Sequence, residues 1–238
     1  MEITSQEAWT ERESGVSVAV PYFAKEILEH VIFEARDSEF VDQKSGVSAR
    51  MTITAMELLQ SAAERRALIN GEKTAIVRVA DMFHIVPAIT GKLELVYEGE
   101  QEGAANVAKV LIGKAINKVF KNYFPDPQKK DTAGSTYENI TGWFTKGNVI
   151  DLPDTLSNND YEKALTAVDG LKDLAAKHMR GQEKDEVLIA MDFILEGLHQ
   201  NSLLGKDDLD DSRSYSDMVG SMLGSLGDLD DEDFRDEF

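Results

Sequence analysis

Residues 102–124, EGAANVAKVLIGKAINKVFKNYF, carry the clearest structural pattern of the chain. Apolar residues recur there at intervals of three and four, which places them on one face of an α-helix. These positions are Ala104, Ala105, Ala108, Leu111, Ile112, Ala115, Val119 and Phe120. Pro125 follows directly and disfavours helical backbone at the residue before it. The segment therefore predicts a long helix that is buried along one side.

The same periodicity extends to both sides of this helix. It predicts further helices over residues 18–39, 48–70, 81–90, 159–178 and 183–200. Pro21 suits a first helical turn, and Gly71 and Gly91 suit helix ends. Asp169-Gly170 fits a break that divides residues 159–178 into two helices. We therefore expect a mainly α fold.

The segments between the predicted helices are less regular. Residues 92–97 alternate weakly and fit either a short strand or an extended link. Residues 125–136 are polar and predict a loop, and the aromatic residues within 137–152 are expected to pack beneath a loop.

The C-terminal residues differ in composition from the rest of the chain. Residues 206–238 contain 12 acidic and 3 basic residues, a net charge of −9 out of −19 for all 238 residues. Acidic runs flank an apolar segment from Met218 to Leu226 that is interrupted by glycines. Blocks of like charge with frequent Gly and Ser favour disorder. We therefore expect residues 205–238 to be a disordered acidic tail.

Composition excludes several classes of protein. The chain has no cysteine, so disulfides, thiolate zinc sites and cysteine nucleophiles are excluded. The net charge of −19 argues against nucleic-acid binding, which needs clustered positive charge. No stretch approaches the roughly 20 apolar residues of a membrane helix, and no secretory signal is visible. The expected location is cytoplasmic, without a membrane or nucleic-acid partner.

The common nucleotide-binding and hydrolytic motifs are absent from the sequence. Three Gly-Lys pairs begin at Gly91, Gly113 and Gly205, but none has the glycine five positions earlier that a phosphate loop requires. Residues 187–192, VLIAMD, resemble an apolar run ending in a magnesium-binding Asp, yet helical spacing continues through them, which favours a buried helix. His30 has Glu26 and Glu34 one turn to either side, which could bind a cation, although a solvated helix face is favoured.

The stretch SGVSAR, residues 45–50, carries a more specific pattern. It places Arg50 at the start of a predicted helix, directly after a Gly/Ser turn. A guanidinium at this position points in the same direction as the helix N–H groups and can reach an anion. The alternative is that Arg50 pairs with a local carboxylate such as Asp42, and the local chemistry leaves both possibilities open.

A family resemblance rests on two stretches that include this motif. Residues 33–71, FEARDSEFVDQKSGVSARMTITAMELLQSAAERRALING, and residues 89–103, ITGKLELVYEGEQEG, resemble the C-terminal part of AAA+ ATPases related to magnesium-chelatase subunit I. MoxR-type ATPases are close relatives in that clade. The resemblance covers residues 18–124, weakens through residue 204 and does not extend into the acidic tail.

The resemblance implies a fold, a function and several site residues. It makes residues 18–124 the helical lid that follows the ATPase core, with Arg50 as the sensor-2 arginine that approaches the γ-phosphate of ATP. It places Arg65 and Arg66 in ion pairs of the lid or of a subunit interface. It also implies ATP and Mg²⁺ in the full-length protein, a ring of identical subunits, and a possible partner with a von Willebrand A domain.

The chain departs from that family in one large respect. The core, with its phosphate loop, magnesium-binding acids and sensor 1, has no counterpart in the sequence. We therefore expect no catalysis, no cofactor and no metal site from this chain alone, and expect it to act with an AAA+ core that lies upstream. The expected organisation is a linker over residues 1–17, a lid-like domain over 18–124, a helical extension over 125–204 and the tail over 205–238.

An alternative of another class is a stand-alone helical adaptor. Such a protein keeps the lid fold without the motor and uses the acidic tail to bind a partner, since an apolar segment between charged blocks can dock on a basic groove. An adaptor keeps its partner when the ATPase core is absent, whereas a lid loses ring assembly.

Overall fold

The structure is a computed structural model that describes residues 14–44, 47, 48, 50–129, 136–179, 184–209 and 211–218. Helices dominate these residues. The long helices are α1 (Tyr22–Asp37), α2 (Arg50–Asn70), α6 (Ala104–Tyr123) and α10 (Lys184–Gln200). The shorter helices are α3 (Val79–Phe83), α4 (Val86–Thr90), α5 (Tyr97–Glu102), α7 (Glu138–Phe144), α8 (Asn158–Thr166) and α9 (Leu171–His178). The mainly α prediction is confirmed.

Two small sheets accompany the helices. Strand β1 (Ser17–Ala19) pairs in parallel with β2 (Thr74–Ile76). Strands β3 (Ile150–Pro153), β4 (Gly205–Leu209) and β5 (Ser212–Ser216) form an antiparallel sheet in the order β3-β5-β4. Of the helices formed by the described residues, none combines the length and the apolar character needed to cross a membrane.

Helix α6, which the opening stretch of sequence predicts, lies at the centre of the core. It packs against α1 on one side and against α10 on another. Phe193 of α10 stacks on Phe23 of α1 at 4.6 Å between ring centroids and meets Phe120 of α6 edge-on at 5.6 Å. A Cβ on Gly197 would lie 2.3 Å from the Phe120 ring, so this glycine permits the close approach of α10 to α6.

Most predicted helices agree with the structure to within a few residues. Residues 159–178 form two helices, and Gly170 between them has a φ of 77°, which glycine adopts without a Cβ penalty. The helix expected over residues 81–90 is also two helices, α3 and α4. The helix expected from residue 18 starts at Tyr22, because residues 17–19 pair with β2. Residues 93–96 are an extended link with a bridge from Leu95 to Val41, and Tyr97, the last residue of the expected segment, is already the first residue of α5.

The prediction of disorder from residue 205 is wrong for the first part of that segment. Residues 205–209 and 212–216 form the hairpin β4–β5, which pairs with β3 and lies against α10. Lys206 and Arg213 of the hairpin pair with carboxylates of α10, and a sequence pattern does not show this. The rest of the expected tail, residues 219–238, and residues 1–13 of the expected linker lie outside the described residues.

Candidate functional site

Arg50 is the first residue of α2 and has an exposed side chain. Its backbone N–H donates to Ser48 Oγ at 3.2 Å, and the N–H of Met51 donates to the Ser48 carbonyl at 3.0 Å. Within the part of the chain that the structure describes, none of the observed ion pairs includes the guanidinium. The cation is therefore available to an anion from outside these residues.

Buried side chains fix the helix that carries Arg50. Met51, Ala55, Leu59 and Ala63 lie in the core at 3% exposure or less. This stripe begins at the residue that follows Arg50, so the base of the Arg50 side chain is held by core packing while its end faces solvent. A rigid base of this kind lowers the conformational entropy lost when a ligand binds.

Lys92 is a second cation on the same side of α2. Its Nζ donates to Thr54 Oγ1 at 2.6 Å. Thr54 lies four residues after Arg50, and residues four apart are neighbours on a helix surface. No ion pair joins Lys92 to another described residue. In the sequence, Lys92 belongs to a Gly-Lys pair that lacks the spacing of a phosphate loop. A local pattern does not show that Lys92 contacts α2, because Thr54 is distant in sequence.

Arg65 and Arg66 are neighbours in sequence but have different environments. Arg65 is exposed. Arg66 is 3% exposed, and its guanidinium donates to Asp81 Oδ1 at 2.6 Å and to the Ile76 carbonyl at 2.8 Å. Arg66 therefore forms an ion pair inside this chain and has no surface to offer to another subunit. Arg65 keeps the exposure that an interface residue requires.

The pair of Arg66 and Asp81 continues into a larger buried network through Arg78. Asp81 Oδ2 accepts from the backbone N–H of Arg78 at 2.8 Å. The Arg78 guanidinium lies 3.9 Å above the centre of the Tyr161 ring and donates to the Leu156 carbonyl and to Asn158 Oδ1. Burial, with a smaller contribution from Arg66, lowers the pKa of Arg78 to about 10. Arg78 thereby links the loop before α3 to the start of α8.

Two carboxylates on α10 hold the hairpin against the helix. Asp192 is fully buried and accepts from Tyr161 at 2.7 Å and from both terminal nitrogens of Arg213 at 3.1 and 3.2 Å. Glu196, also fully buried, accepts from Tyr215 at 2.6 Å and from Lys206 at 3.1 Å. The VLIAMD stretch is thus a buried helix, as its spacing indicates, and its Asp binds an arginine.

The charges around Glu196 decide its ionisation. Burial by itself raises the pKa of this carboxyl, but the opposite charges of Lys206 and Arg213 outweigh burial and lower the pKa to about 2. Burial likewise raises the pKa of Tyr215, which keeps its hydroxyl protonated and able to donate to Glu196. Both buried carboxylates of α10 are therefore paired with cations and accept hydrogen bonds from tyrosine hydroxyls.

A small polar cleft of about 170 Å³ lies beside the hairpin and α3. His84 Nε2 and Asp154 Oδ2 are 3.6 Å apart at this cleft, and Lys109, Asp208 and Ser212 also line it. Burial raises the pKa of Asp154 despite the nearby charges of Arg213 and His84. The cleft is smaller than the roughly 300 Å³ at which small-molecule sites begin.

The structure holds no candidate metal centre within the described residues, where no three His, Asp or Glu side chains converge. Of the residues expected near His30, Glu26 accepts a hydrogen bond from the Tyr123 hydroxyl at 2.6 Å, and the His30 ring packs edge-on against Phe33 at 5.7 Å. Among the described residues, the exposed cations at the start of α2 are the arrangement that fits the anion expected from the SGVSAR motif, and a separate cleft of about 400 Å³ lies between α8, α9 and α10 beside Thr166, Ala176 and Met191.

Comparison of the chain with protein-family models, with curated proteins and with solved structures gives no match.

Proposed function

We propose that this chain is the nucleotide-sensing lid and helical extension of an AAA+ ATPase of the magnesium-chelatase subunit I type. In this proposal Arg50 is the sensor-2 arginine, and the ATPase core that binds ATP and Mg²⁺ is supplied by another part of the protein or assembly. The observation that carries the proposal is the exposed guanidinium at the start of α2, which has no ion-pair partner among the described residues.

The chemistry of phosphoryl transfer explains why such a cation is useful. Negative charge is spread over the oxygens of the transferred phosphoryl group in the transition state, and a fixed positive charge stabilises it there. Arg50 has the five N–H donors and the permanent charge that suit phosphate oxygens. Its charge adds to that of Mg²⁺ bound in the core and is expected to affect hydrolysis more than nucleotide binding.

The buried hydrogen-bond network that joins Arg66 to Asp192 gives a physical route by which movement of α2 reaches α10 and the hairpin. Helix α2 carries Arg50 at its start and Arg66 near its end, and Arg66 contacts α3 through Asp81. Arg78 and Tyr161 continue these contacts to Asp192 and the hairpin. We propose that α2, α10 and the hairpin move as one body against the core and transmit force to a remodelled partner, as in rigid-body domain closure.

The first test is made on the native protein from its source cells, purified with an antibody raised against this chain. We expect a ring-sized assembly that hydrolyses ATP, with the core either in the same polypeptide or in an associated one. A native polypeptide of 26.4 kDa without an associated ATPase would contradict the proposal and favour the adaptor alternative.

The second test compares Arg50→Ala with Arg36→Ala in that ATPase. Arg50→Ala is expected to lower the rate of hydrolysis about 100-fold and to change ATP affinity far less, because the missing charge acts mainly in the transition state. Arg36, an exposed arginine in the last turn of α1, is the matched control for charge. Equal losses of hydrolysis in the two variants, or a loss of folding in Arg50→Ala, would contradict the sensor assignment.

A further inference from the structure

The hydrogen bond from Lys92 to Thr54 brings two cations to one face of α2. A helical side chain leans towards the N-terminus of its helix, so Thr54 leans towards the turn that starts with Arg50. On a helix, Cβ atoms four residues apart are separated by about 5–6 Å, so the side chains of Arg50 and Thr54 are neighbours. The Lys92 ammonium, which is bound to Thr54, is therefore held about one helical turn from the base of the Arg50 side chain.

Backbone contacts between residues 40–42 and residues 94–96 fix the position of the segment that carries Lys92. Val41 bridges to Leu95, the N–H of Asp42 donates to the Glu94 carbonyl at 2.8 Å, and the N–H of Val96 donates to the Phe40 carbonyl at 3.1 Å. These contacts tie the link after α4 to the segment that leads into α2. Lys92 thus comes from a distant part of the sequence to a place fixed by the fold.

The charge balance shows that both cations are available. Acidic residues outnumber Lys and Arg by 44 to 25, so most cations of this chain have carboxylates within reach. None of the ion pairs observed among the described residues includes Arg50 or Lys92. The ammonium of Lys92 has three donors, of which one is directed to Thr54.

We propose that Lys92 and Arg50 together bind the triphosphate of a nucleotide, with Lys92 as a second phosphate-contacting cation. The inference rests on the proposed function and extends it, because it assigns a phosphate-binding role to a residue outside the SGVSAR motif. Thr54 is a positioning residue in this arrangement, since it holds the ammonium on the face that Arg50 occupies.

The test uses the full 238-residue chain and tripolyphosphate, an inorganic probe of the triphosphate. Binding is measured by calorimetry at low salt and by NMR of the Arg Nε and Lys Nζ groups. We expect one site with a Kd on the order of 1 mM, since only two charge-assisted contacts hold the probe. Signals of Arg50 and Lys92 should shift together along one binding curve.

Variants then separate the role of Lys92 from the effect of overall charge. Lys92→Ala and Arg50→Ala are each expected to weaken tripolyphosphate binding about tenfold, the value of one charge-assisted hydrogen bond. Thr54→Val keeps both charges and is expected to weaken binding by a smaller factor. Lys114→Ala, which removes an exposed charge from α6, is the matched control and should leave Kd unchanged. A melting temperature measured for every variant shows whether the fold persists.

The outcomes distinguish this inference from the proposed function. No saturable binding, or a Kd for Lys92→Ala equal to that of the natural chain in a folded variant, overturns the two-cation site. In the native ATPase, a loss of hydrolysis in Arg50→Ala with none in Lys92→Ala would also overturn it and leave the sensor role of Arg50 intact. Tripolyphosphate binding that needs both cations, together with unaltered hydrolysis in Arg50→Ala, would support the site and contradict the proposed function.

Discussion

Charged residues of this protein differ in how much they contribute to the stability of the fold. Arg66 is buried and has two hydrogen-bond acceptors, whereas Arg65, the preceding residue, is exposed to solvent. A buried ion pair has little net effect on stability compared with apolar residues of the same shape, but removing one partner leaves an uncompensated charge. The free energy of unfolding that is lost on substitution of a charged residue therefore depends on whether its partner stays buried without an opposite charge.

This difference predicts unequal effects of two neighbouring substitutions. Arg66→Ala is expected to lower the free energy of unfolding by about 3–5 kcal/mol, because Asp81 stays buried without its cation. Arg65→Ala is expected to change it by less than about 0.5 kcal/mol, as is usual at exposed sites. Urea unfolding of the two variants measures both values, and a similar loss in each would contradict the structural role of Arg66.

The ionisation of Glu196 predicts a loss of stability in acid. Its pKa in the folded chain is about 2, below the ordinary value of 4.5. The carboxylate therefore stabilises the fold fully above about pH 4.5, and this contribution, on the order of 3 kcal/mol, is lost as the pH falls towards 2. Urea unfolding between pH 6 and pH 3 should show a shallower decline for Glu196→Gln than for the natural chain.

The matched control for this pH dependence is Asp185→Asn, which changes an exposed carboxylate at the start of the same helix. Its unfolding free energy should follow the natural chain across the whole range of pH. Parallel curves for Glu196→Gln and the natural chain would mean that Glu196 does not titrate with a lowered pKa.

At the scale of elements, the hairpin β4–β5 stabilises the helix that precedes it. Helix α10 has the apolar sequence of a core helix but carries Asp192 and Glu196 on its buried surface. Their charges are neutralised by Arg213 and Lys206, which the hairpin supplies. The hairpin in turn pairs with β3 through β5, so it completes a sheet as well as a charge cluster.

Truncation separates the hairpin from the residues that follow it. A chain that ends at residue 204 loses Lys206, Arg213 and Tyr215, and we expect it to be less stable by about 3–5 kcal/mol than a chain that ends at residue 218. The second chain keeps all three side chains and is the control for removal of the acidic C-terminal residues. Thermal unfolding compares the two, and equal melting temperatures would contradict the stabilising role of the hairpin.

At the scale of the molecule, residues 18–124 and the segment that follows them, called here the extension, have a common core. Phe23 and Phe120 belong to residues 18–124, while Phe193, which contacts both rings, belongs to the extension. Arg78 adds hydrogen bonds from the first part to the loop before α8. Large apolar contact between two segments makes their unfolding cooperative, because neither keeps its buried surface alone.

The common core predicts a single unfolding transition for the described body of the protein. Trp143 reports on the extension, and the Trp9→Phe substitution removes the other tryptophan of the chain. Trp143 fluorescence and far-UV circular dichroism should give the same midpoint and the same slope in urea. Two separate midpoints would indicate that the extension is an independent domain.

The sequence by itself determined most of the helices and one candidate residue. Helical periodicity depends on neighbours three and four positions away, so it can be seen in segments such as residues 102–124 without a tertiary structure. Short-range signals also identified the break at Gly170 and the position of Arg50 at the start of a helix. The link of this residue to a nucleotide comes from resemblance, and it stays a proposal.

Only the tertiary structure decided which charges are buried and which cations meet. Arg66 differs from Arg65 because of Asp81, Arg213 and Lys206 of the hairpin are bound by Asp192 and Glu196, and Lys92 reaches Thr54 of α2 from a link whose residues 94–96 pair with residues 40–42. In each case the partner is distant in sequence. A buried charge depends on the partner that the fold supplies, and no local pattern contains that information.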